Sequence, residues 1–340
     1  MTEPTDEKAW KKTLAPYKKP SLRRALVQLL NSAVPFAGVW ALMAWMLDFA
    51  PVVSLLLAIP AAGLFMRLFI IQHDCGHGSF FRSPAANNLL GNLLGIVTLF
   101  PYGYWRRTHA IHHATAGNLD ARELGDVRTL TVEEYRSLPR WQRVGYRIYR
   151  NPLILFGLGP LYQFILKHRF PFDIPWSWKR EWASVLVNNL GIAAVAGGLC
   201  WLVGWQTFVV VELAIVMVAG PIGVWLFYVQ HQFEDTYWER DDAWSFYRAG
   251  VHGSSFYDLP QFLHWWTGNI GYHHIHHLSS RIPNYRLREC FLALPDLQRV
   301  TRLTLRKSLR CARLRLWDEE RRTMIGFREL REKPTFQAAA

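Results

Sequence analysis

Four stretches of this chain, each longer than twenty residues, carry almost no charge, and they constrain the fold before any other feature does. They are residues 25–49, 52–72, 182–203 and 206–230, interrupted only by Asp48, Arg67 and Glu212. About twenty apolar residues in a helix match the hydrocarbon thickness of a bilayer. In lipid the backbone must satisfy its own hydrogen bonds, so an isolated stretch of this length spans as a helix. Asp48, Ala50 and Pro51 separate the first two stretches, and Gly204-Trp205 the last two. Each pair therefore reads as a hairpin with a tight turn. Pro221 is expected to kink the fourth stretch, because proline removes a helical donor.

Charge orients the hairpins. Of 340 residues, 51% are hydrophobic, yet Lys and Arg outnumber Asp and Glu by 39 to 26, a net charge of +13. Lys8, Lys11, Lys12, Lys18, Lys19, Arg23 and Arg24 precede the first stretch, and Lys179 and Arg180 precede the third. The two hairpin turns hold no Lys or Arg. Basic residues flank spans on the cytoplasmic side, so both ends, the middle segment and the functional site are expected in the cytoplasm, under the inner (cytoplasmic) membrane. The first apolar stretch is too long for a cleaved signal peptide. A disordered chain is excluded by an aromatic content of 14%. No nucleic-acid partner is expected, since bases and apolar stretches are segregated.

The expected fold class is all-α: a polytopic membrane protein with four transmembrane helices, interfacial helices and a helical cytoplasmic cap. A cytoplasmic segment (1–24), a membrane domain (25–290) and a basic tail (291–340) divide the chain. Apolar runs at 89–100 and 153–166 are too short to cross and suit interfacial helices or buried helices of the cap. In residues 295–317, Arg299, Arg302, Arg306, Lys307, Arg310 and Arg313 alternate with Val300, Leu303, Leu309 and Leu314. That pattern predicts a basic amphipathic helix, resting on anionic lipid or packed on the cap. Cys75, Cys200, Cys290 and Cys311 are scattered and predict neither a disulfide framework nor a thiolate metal site.

The thirteen histidines are not scattered. His73 and His77 follow the second stretch, His109, His112 and His113 lie in the middle segment, and His273, His274, His276 and His277 precede the tail. His231 directly follows the fourth stretch. Helical neighbours three and four apart share a face, so each group is expected to present its imidazoles together. Imidazole is the commonest side-chain metal ligand. Eight or nine of them exceed the four ligands of one closed site and suit two ions, whether iron, copper, nickel or zinc. The chain has no Glu-x-x-His, so a carboxylate-bridged bundle site is not expected.

His73-Asp-Cys-Gly-His77, His109-Ala-Ile-His112-His113 and His273-His-Ile-His276-His277 resemble the three histidine boxes of the integral-membrane fatty acid desaturases. Flanking text extends the likeness to the omega-6/omega-3 (methyl-end) acyl-lipid branch: Gly76-His-Gly-Ser-Phe-Phe81, Ala114-Thr-Ala-Gly-Asn-Leu-Asp120, Gly268-Asn-Ile-Gly-Tyr272 and Ile282-Pro-Asn-Tyr285. The resemblance implies a non-haem centre of two Fe ions, O2 as co-substrate, and a cis double bond made in a lipid-linked (or CoA-linked) acyl chain, at the delta-12/omega-6 position of a monounsaturated one. Carried over by position, the ligands are His73, His77, His109, His112, His113, His273, His276 and His277, with His231 as an additional one. His274 occupies a variable position and is expected to point away.

Metal-bound imidazoles usually give their second N–H to a carboxylate or carbonyl. Asp74, Asp120, Asp126, Glu234, Asp235 and Asn269 lie near enough in sequence to serve. His168, His252 and His264 lack partners at ligand spacing and read as structural. Tyr102, Tyr104, Trp105, Trp265 and Trp266 suit either an acyl channel or a membrane-interface belt. With no Gly-rich dinucleotide motif and no cysteine cluster, electrons are expected from an external donor such as a ferredoxin or cytochrome. Two alternatives share these features: a lipid hydroxylase or carotenoid ketolase of the same fold, and a non-enzymatic membrane redox or metal-carrier protein.

Overall fold

In a computed structural model that describes residues 7–122 and 124–331, the protein is mostly helical. Positions 1–6, at the start of the expected cytoplasmic segment, and 332–340, at the end of the expected tail, lie outside the described residues. Four helices are long and apolar enough to cross a bilayer: Leu22–Met46, Pro51–Gly76, Lys179–Val203 and Trp205–His231. The second is the most enclosed and the third the least. A break at Leu57 divides the second span, whose first turn begins at Pro51. Proline suits that position, because the first helical N–H has no partner within the helix. The fourth span runs through Pro221 without interruption.

The short turns make each hairpin antiparallel. The start of the first span, the end of the second, the start of the third and the end of the fourth therefore lie on one side. Where the spans meet, Ala58, Ala61, Ala62 and Phe65 of the second pack with Val211, Ile215, Val216 and Ala219 of the fourth and Trp40 and Met43 of the first. Alanines at these positions let the helices approach closely. Leu22, Leu30, Val34, Leu186, Leu190 and Trp201 face outward on the first and third spans, as lipid contact requires.

Neither short apolar run forms a helix as long as the four candidate spans. The helix Pro84–Val97, capped by the Ser83 hydroxyl accepting from the Ala86 amide, packs along the second span. The second run is a helix with π-helical turns, Leu153–Lys167, lying against the fourth span.

The cap departs from an all-helical expectation by short strands. Leu130–Thr131 pairs in parallel with Leu316–Asp318, which pairs antiparallel with Thr323–Ile325. Phe256–Asp258 pairs in parallel with Arg302–Thr304. The tail is consequently not the single amphipathic helix its pattern suggested. It contains a 3₁₀ turn Pro295–Gln298, the strand at Arg302–Thr304 and a two-turn helix Leu305–Cys311. Thr304 ends the strand and caps that helix, its hydroxyl accepting from the Lys307 amide. Leu303, Leu316 and Trp317 are buried in protein rather than lipid. Arg150, wholly buried, ties these parts together. Its guanidinium donates to the Arg128 and Leu314 carbonyls, to Thr129 and Tyr228, and to Gln232 Oε1 at 2.9 Å. The end of the fourth span, the middle segment and the tail thus share one cation.

Candidate metal centre

Four separate elements deliver imidazoles to one place. His73 lies in the last turn of the second span and His77 caps it, their ring centroids 4.6 Å apart. The chain then turns sharply at Gly78, whose φ of +64° lies in the left-handed region that favours glycine. His109, His112 and His113 occupy the final turns of the helix Tyr102–Thr115. His231 ends the fourth span. The short helix His273–Leu278 is buried along its whole length.

Two contiguous clusters result. One holds His73, His77, His109, His113 and His276; the other holds His112, His231 and His277. His273 joins the second through His231, their Nε2 atoms 2.9 Å apart. Each His-x-x-His-His triplet therefore divides between the clusters instead of presenting one face. Neighbouring residues on a helix sit about 100° apart, so His112 faces away from the His109–His113 row, and His277 away from His276. The clusters touch where His113 stacks on His277 at 4.2 Å.

Anchors outside the clusters turn Nε2 inward. His231 Nδ1 lies 3.2 Å from the Gly253 carbonyl, an atom that can only accept, so Nδ1 carries the hydrogen. His112 Nδ1 lies 2.5 Å from Asp126 Oδ1, and His73 Nδ1 3.3 Å from Asp74 Oδ1. Asp74 is itself held: Oδ2 accepts from the Asn284 amide at 2.6 Å and from Asn284 Nδ2 at 2.8 Å. Facing inward, His113 Nε2 lies 3.1 Å from His109 Nε2 and 3.0 Å from His276 Nε2. The Nε2 atoms of His77, His112 and His277 are buried with no hydrogen-bond partner.

This donor set fits metal ions. A metal–nitrogen distance of about 2.0–2.1 Å puts adjacent ligands about 2.9 Å apart in an octahedron and about 3.4 Å apart in a tetrahedron. The observed spacings of 2.9–3.1 Å fall near the octahedral edge. A cation would also satisfy buried lone pairs that no hydrogen bond reaches. Burial first, and neighbouring imidazoles second, hold His77, His109, His113, His273, His276 and His277 well below the usual imidazole range. Neutral rings are the form that ligates.

The family model for fatty acid desaturases matches residues 49–306. The chain belongs to the fatty acid desaturase family. It is 45% identical over 337 residues to a fatty acid desaturase of Bacillus subtilis, covering 98% of this chain and 95% of that one. Identity is 31% over 288 residues to the sn-1 acyl-lipid omega-3 desaturase (ferredoxin) of Synechocystis, covering 81% and 76%. It is 29% over 243 residues to the acyl-lipid omega-3 desaturase (cytochrome b5) of Arabidopsis thaliana, covering 66% and 57%. This protein is thus a membrane fatty acid desaturase, an oxidoreductase carrying clustered histidines.

Of the carboxylates and amide singled out in the desaturase sequence, Asp74 and Asp126 reach a histidine. Asp120 does not: it pairs with Arg240 at 2.6 Å and accepts from the Asp241 amide. Glu234 and Asp235 are exposed, and the Glu234 carbonyl accepts from Met324 and Thr323. Asn269, at φ +60°, stands one step removed, donating to the Asn284 carbonyl at 3.4 Å. His274 points away, donating through Nε2 to the Leu297 carbonyl at 2.9 Å. His168 sits among Phe100, Tyr104 and Phe164, and His264 stacks with Phe256 and Tyr272. Trp105 stacks on His109 at 4.5 Å, whereas Tyr102 and Tyr104 spend their hydroxyls on the Cys75 carbonyl and Asp173. Sequence reasoning missed Asn284 and the Gly253 carbonyl. Asn284 stands in the Ile282-Pro-Asn-Tyr285 text, but nothing in its local pattern points 210 residues back to Asp74.

Proposed function

We propose that this desaturase uses O2 and two iron ions, held by the nine histidines, to form a cis double bond in the acyl chain of a membrane lipid. The observation that carries this reading is the pair of touching clusters whose Nε2 atoms converge at 2.9–3.1 Å. His73, His77, His109, His113 and His276 would hold one ion, and His112, His231, His273 and His277 the other. Bound iron supplies the O2 chemistry needed to remove hydrogen from unactivated methylenes. The chain itself supplies position. Asp74, Asp126 and the Gly253 carbonyl fix the tautomers of His73, His112 and His231, so ligand geometry is set before substrate arrives. The site lies where the ends of the second and fourth spans meet the helices Tyr102–Thr115 and His273–Leu278.

The balance is CH2–CH2 + O2 + two electrons + two protons giving CH=CH + two waters. The electrons come from a separate one-electron carrier; the relatives' names specify a ferredoxin in one case and cytochrome b5 in another. The basic residues before the first and third spans support a cytoplasmic membrane with the histidines on the cytoplasmic side. On the methyl-end likeness of the flanking text, the substrate is a monounsaturated chain and the product a diene.

The test is expression in a bacterium whose lipids contain only saturated and monounsaturated chains, followed by mass spectrometry of the fatty esters. Wild type should add a double bond and His112→Ala should not, with iron lost from the variant. A new bond in a saturated chain would overturn the positional assignment alone. A hydroxylated product, or no product from iron-loaded protein given a donor, would overturn the reaction.

A further inference from the structure

We propose that the electron carrier is a small acidic protein that docks beside the first, less buried histidine cluster, on Arg106 and Arg281, and that electrons enter through that cluster. The inference rests on the reading of the site as a desaturase centre and adds where its reductant binds.

The two clusters differ in access. His112, His231, His273 and His277 are each less than a tenth exposed, so every histidine of the second cluster is buried. In the first, His73 and His276 are buried but His77, His109 and His113 are half-buried. Only there, among the described residues, are histidines of the centre half-buried rather than buried.

Two cations flank these half-buried histidines. Arg281 is exposed, and its guanidinium donates to the His77 carbonyl at 3.1 Å and the Gly78 carbonyl at 3.4 Å, so it lies on the turn that follows the first box. A side chain at Gly78 would put its Cβ 2.7 Å from that guanidinium. Arg106 is also exposed and stands one turn before His109 and two before His113, on the same helical face. It donates to Asn88 Oδ1 at 3.0 Å. No carboxylate pairs with Arg106 or Arg281 among the described residues, whereas the adjacent Arg107 pairs with Glu181 at 3.1 Å.

Uncompensated cations beside a half-buried redox cluster favour a carrier of opposite charge and steer its approach. Each docking event transfers one electron from the reduced carrier, which leaves oxidised. Two events provide the pair that, with two protons from solvent, balances each double bond formed.

The experiment uses the full iron-loaded protein in detergent, with a reduced plant-type two-iron ferredoxin as probe. Charge reversal, Arg106→Glu with Arg281→Glu, should raise KM for the ferredoxin at least tenfold and flatten its dependence on salt, while iron content is retained. Arg310→Glu, an exposed tail substitution, should leave KM unchanged. If charge reversal costs iron, the neutral pair Arg106→Gln and Arg281→Gln should still lower the salt dependence of KM. Unchanged KM and salt dependence in these variants would overturn the docking site while leaving the desaturase reading intact. Loss of binding to phosphatidylglycerol vesicles, with KM for ferredoxin unchanged, would show that the two arginines meet lipid and would also overturn it. Wild-type protein that neither binds ferredoxin nor turns over with it would overturn the donor assignment underlying both.

Discussion

Asn284 makes the sharpest demand on the proposed centre, because it contacts no histidine. Its side chain donates to Asp74 Oδ2 at 2.8 Å and accepts from Gln28 Nε2 at 2.7 Å. The Asp74 carboxyl, 1% exposed, has few other partners, and its second oxygen holds His73 Nδ1. Asn284→Ala keeps the backbone N–H but removes both side-chain bonds. A hydrogen bond to a charged group contributes about 1.5–3 kcal/mol and a neutral one about 1 kcal/mol. The variant should therefore lose about 3 kcal/mol of stability. His73 is then less firmly oriented, and loss of such an outer partner typically costs about 10–100-fold in metal affinity. The second cluster hangs from Asp126 and Gly253 and should keep its affinity. The assay is titration of metal-free protein with Fe(II) against a competing chelator, for Asn284→Ala, Asp74→Asn and the double variant. Acting through one carboxyl, the two changes should fail to add by at least about 1 kcal/mol. Wild-type affinity in Asn284→Ala, or additivity within about 0.5 kcal/mol, would refute the proposed support.

The remaining expectations follow from equally local geometry. Asp126→Asn should lower iron content toward one ion per chain with the fold retained, since it weakens the grip on His112 alone; metal analysis with circular dichroism checks this. His274→Ala should keep full iron content and His276→Ala should not, because only the former is turned to the Leu297 carbonyl. Metal-free protein should lose stability as pH falls below about 6.5, where an unfolded chain begins to protonate histidines that the fold holds neutral. The slope can reach about 1.4 kcal/mol per pH unit for each such ring, and melting curves between pH 8 and 5 should show it. A flat profile would contradict the downward shifts of His77, His109, His113, His273, His276 and His277. Gly63→Ala should cost about 1–3 kcal/mol by overpacking, since its Cβ would fall 2.1 Å from the Trp266 ring. Gly197→Ala, with nothing within 4 Å, should cost little; denaturation in detergent compares the two.

Legibility in the sequence tracked how local the deciding physics was. The spans were readable because lipid accepts only backbone that pairs with itself, so about twenty uncharged residues suffice as a signal. The tail was not, because its alternation of arginines and leucines fits a helix until Arg302–Thr304 finds Phe256–Asp258 forty-odd residues upstream. Three histidine groups at helical spacing were visible as metal-binding candidates. Their partition into two clusters required the helix rotation that separates His112 from His113 and His276 from His277. Proximity in sequence selected Asp74 and Asp126 and also Asp120 and Glu234. What distinguishes them is distant: Arg240 draws Asp120 outward from 120 positions away, and Asn284 draws Asp74 inward from 210.

The same partition explains how a centre without a bridging carboxylate keeps its two halves in register. Every member of either cluster is a histidine, so among the described residues no carboxylate is shared between the clusters. The tie is backbone. His112 and His113 are neighbours that serve different clusters, and so are His276 and His277. Adjacent Cα atoms are about 3.8 Å apart, which fixes the spacing of the clusters as firmly as the two short helices are held. Those helices are held well: His273–Leu278 is wholly buried, and Tyr102–Thr115 packs on the third span, where Gly103 donates to Ser184 at 2.8 Å. Rigidity placed in helix backbone leaves the imidazoles to bind metal. The outer partners, Asp74, Asp126 and Gly253, then need only choose which nitrogen points inward.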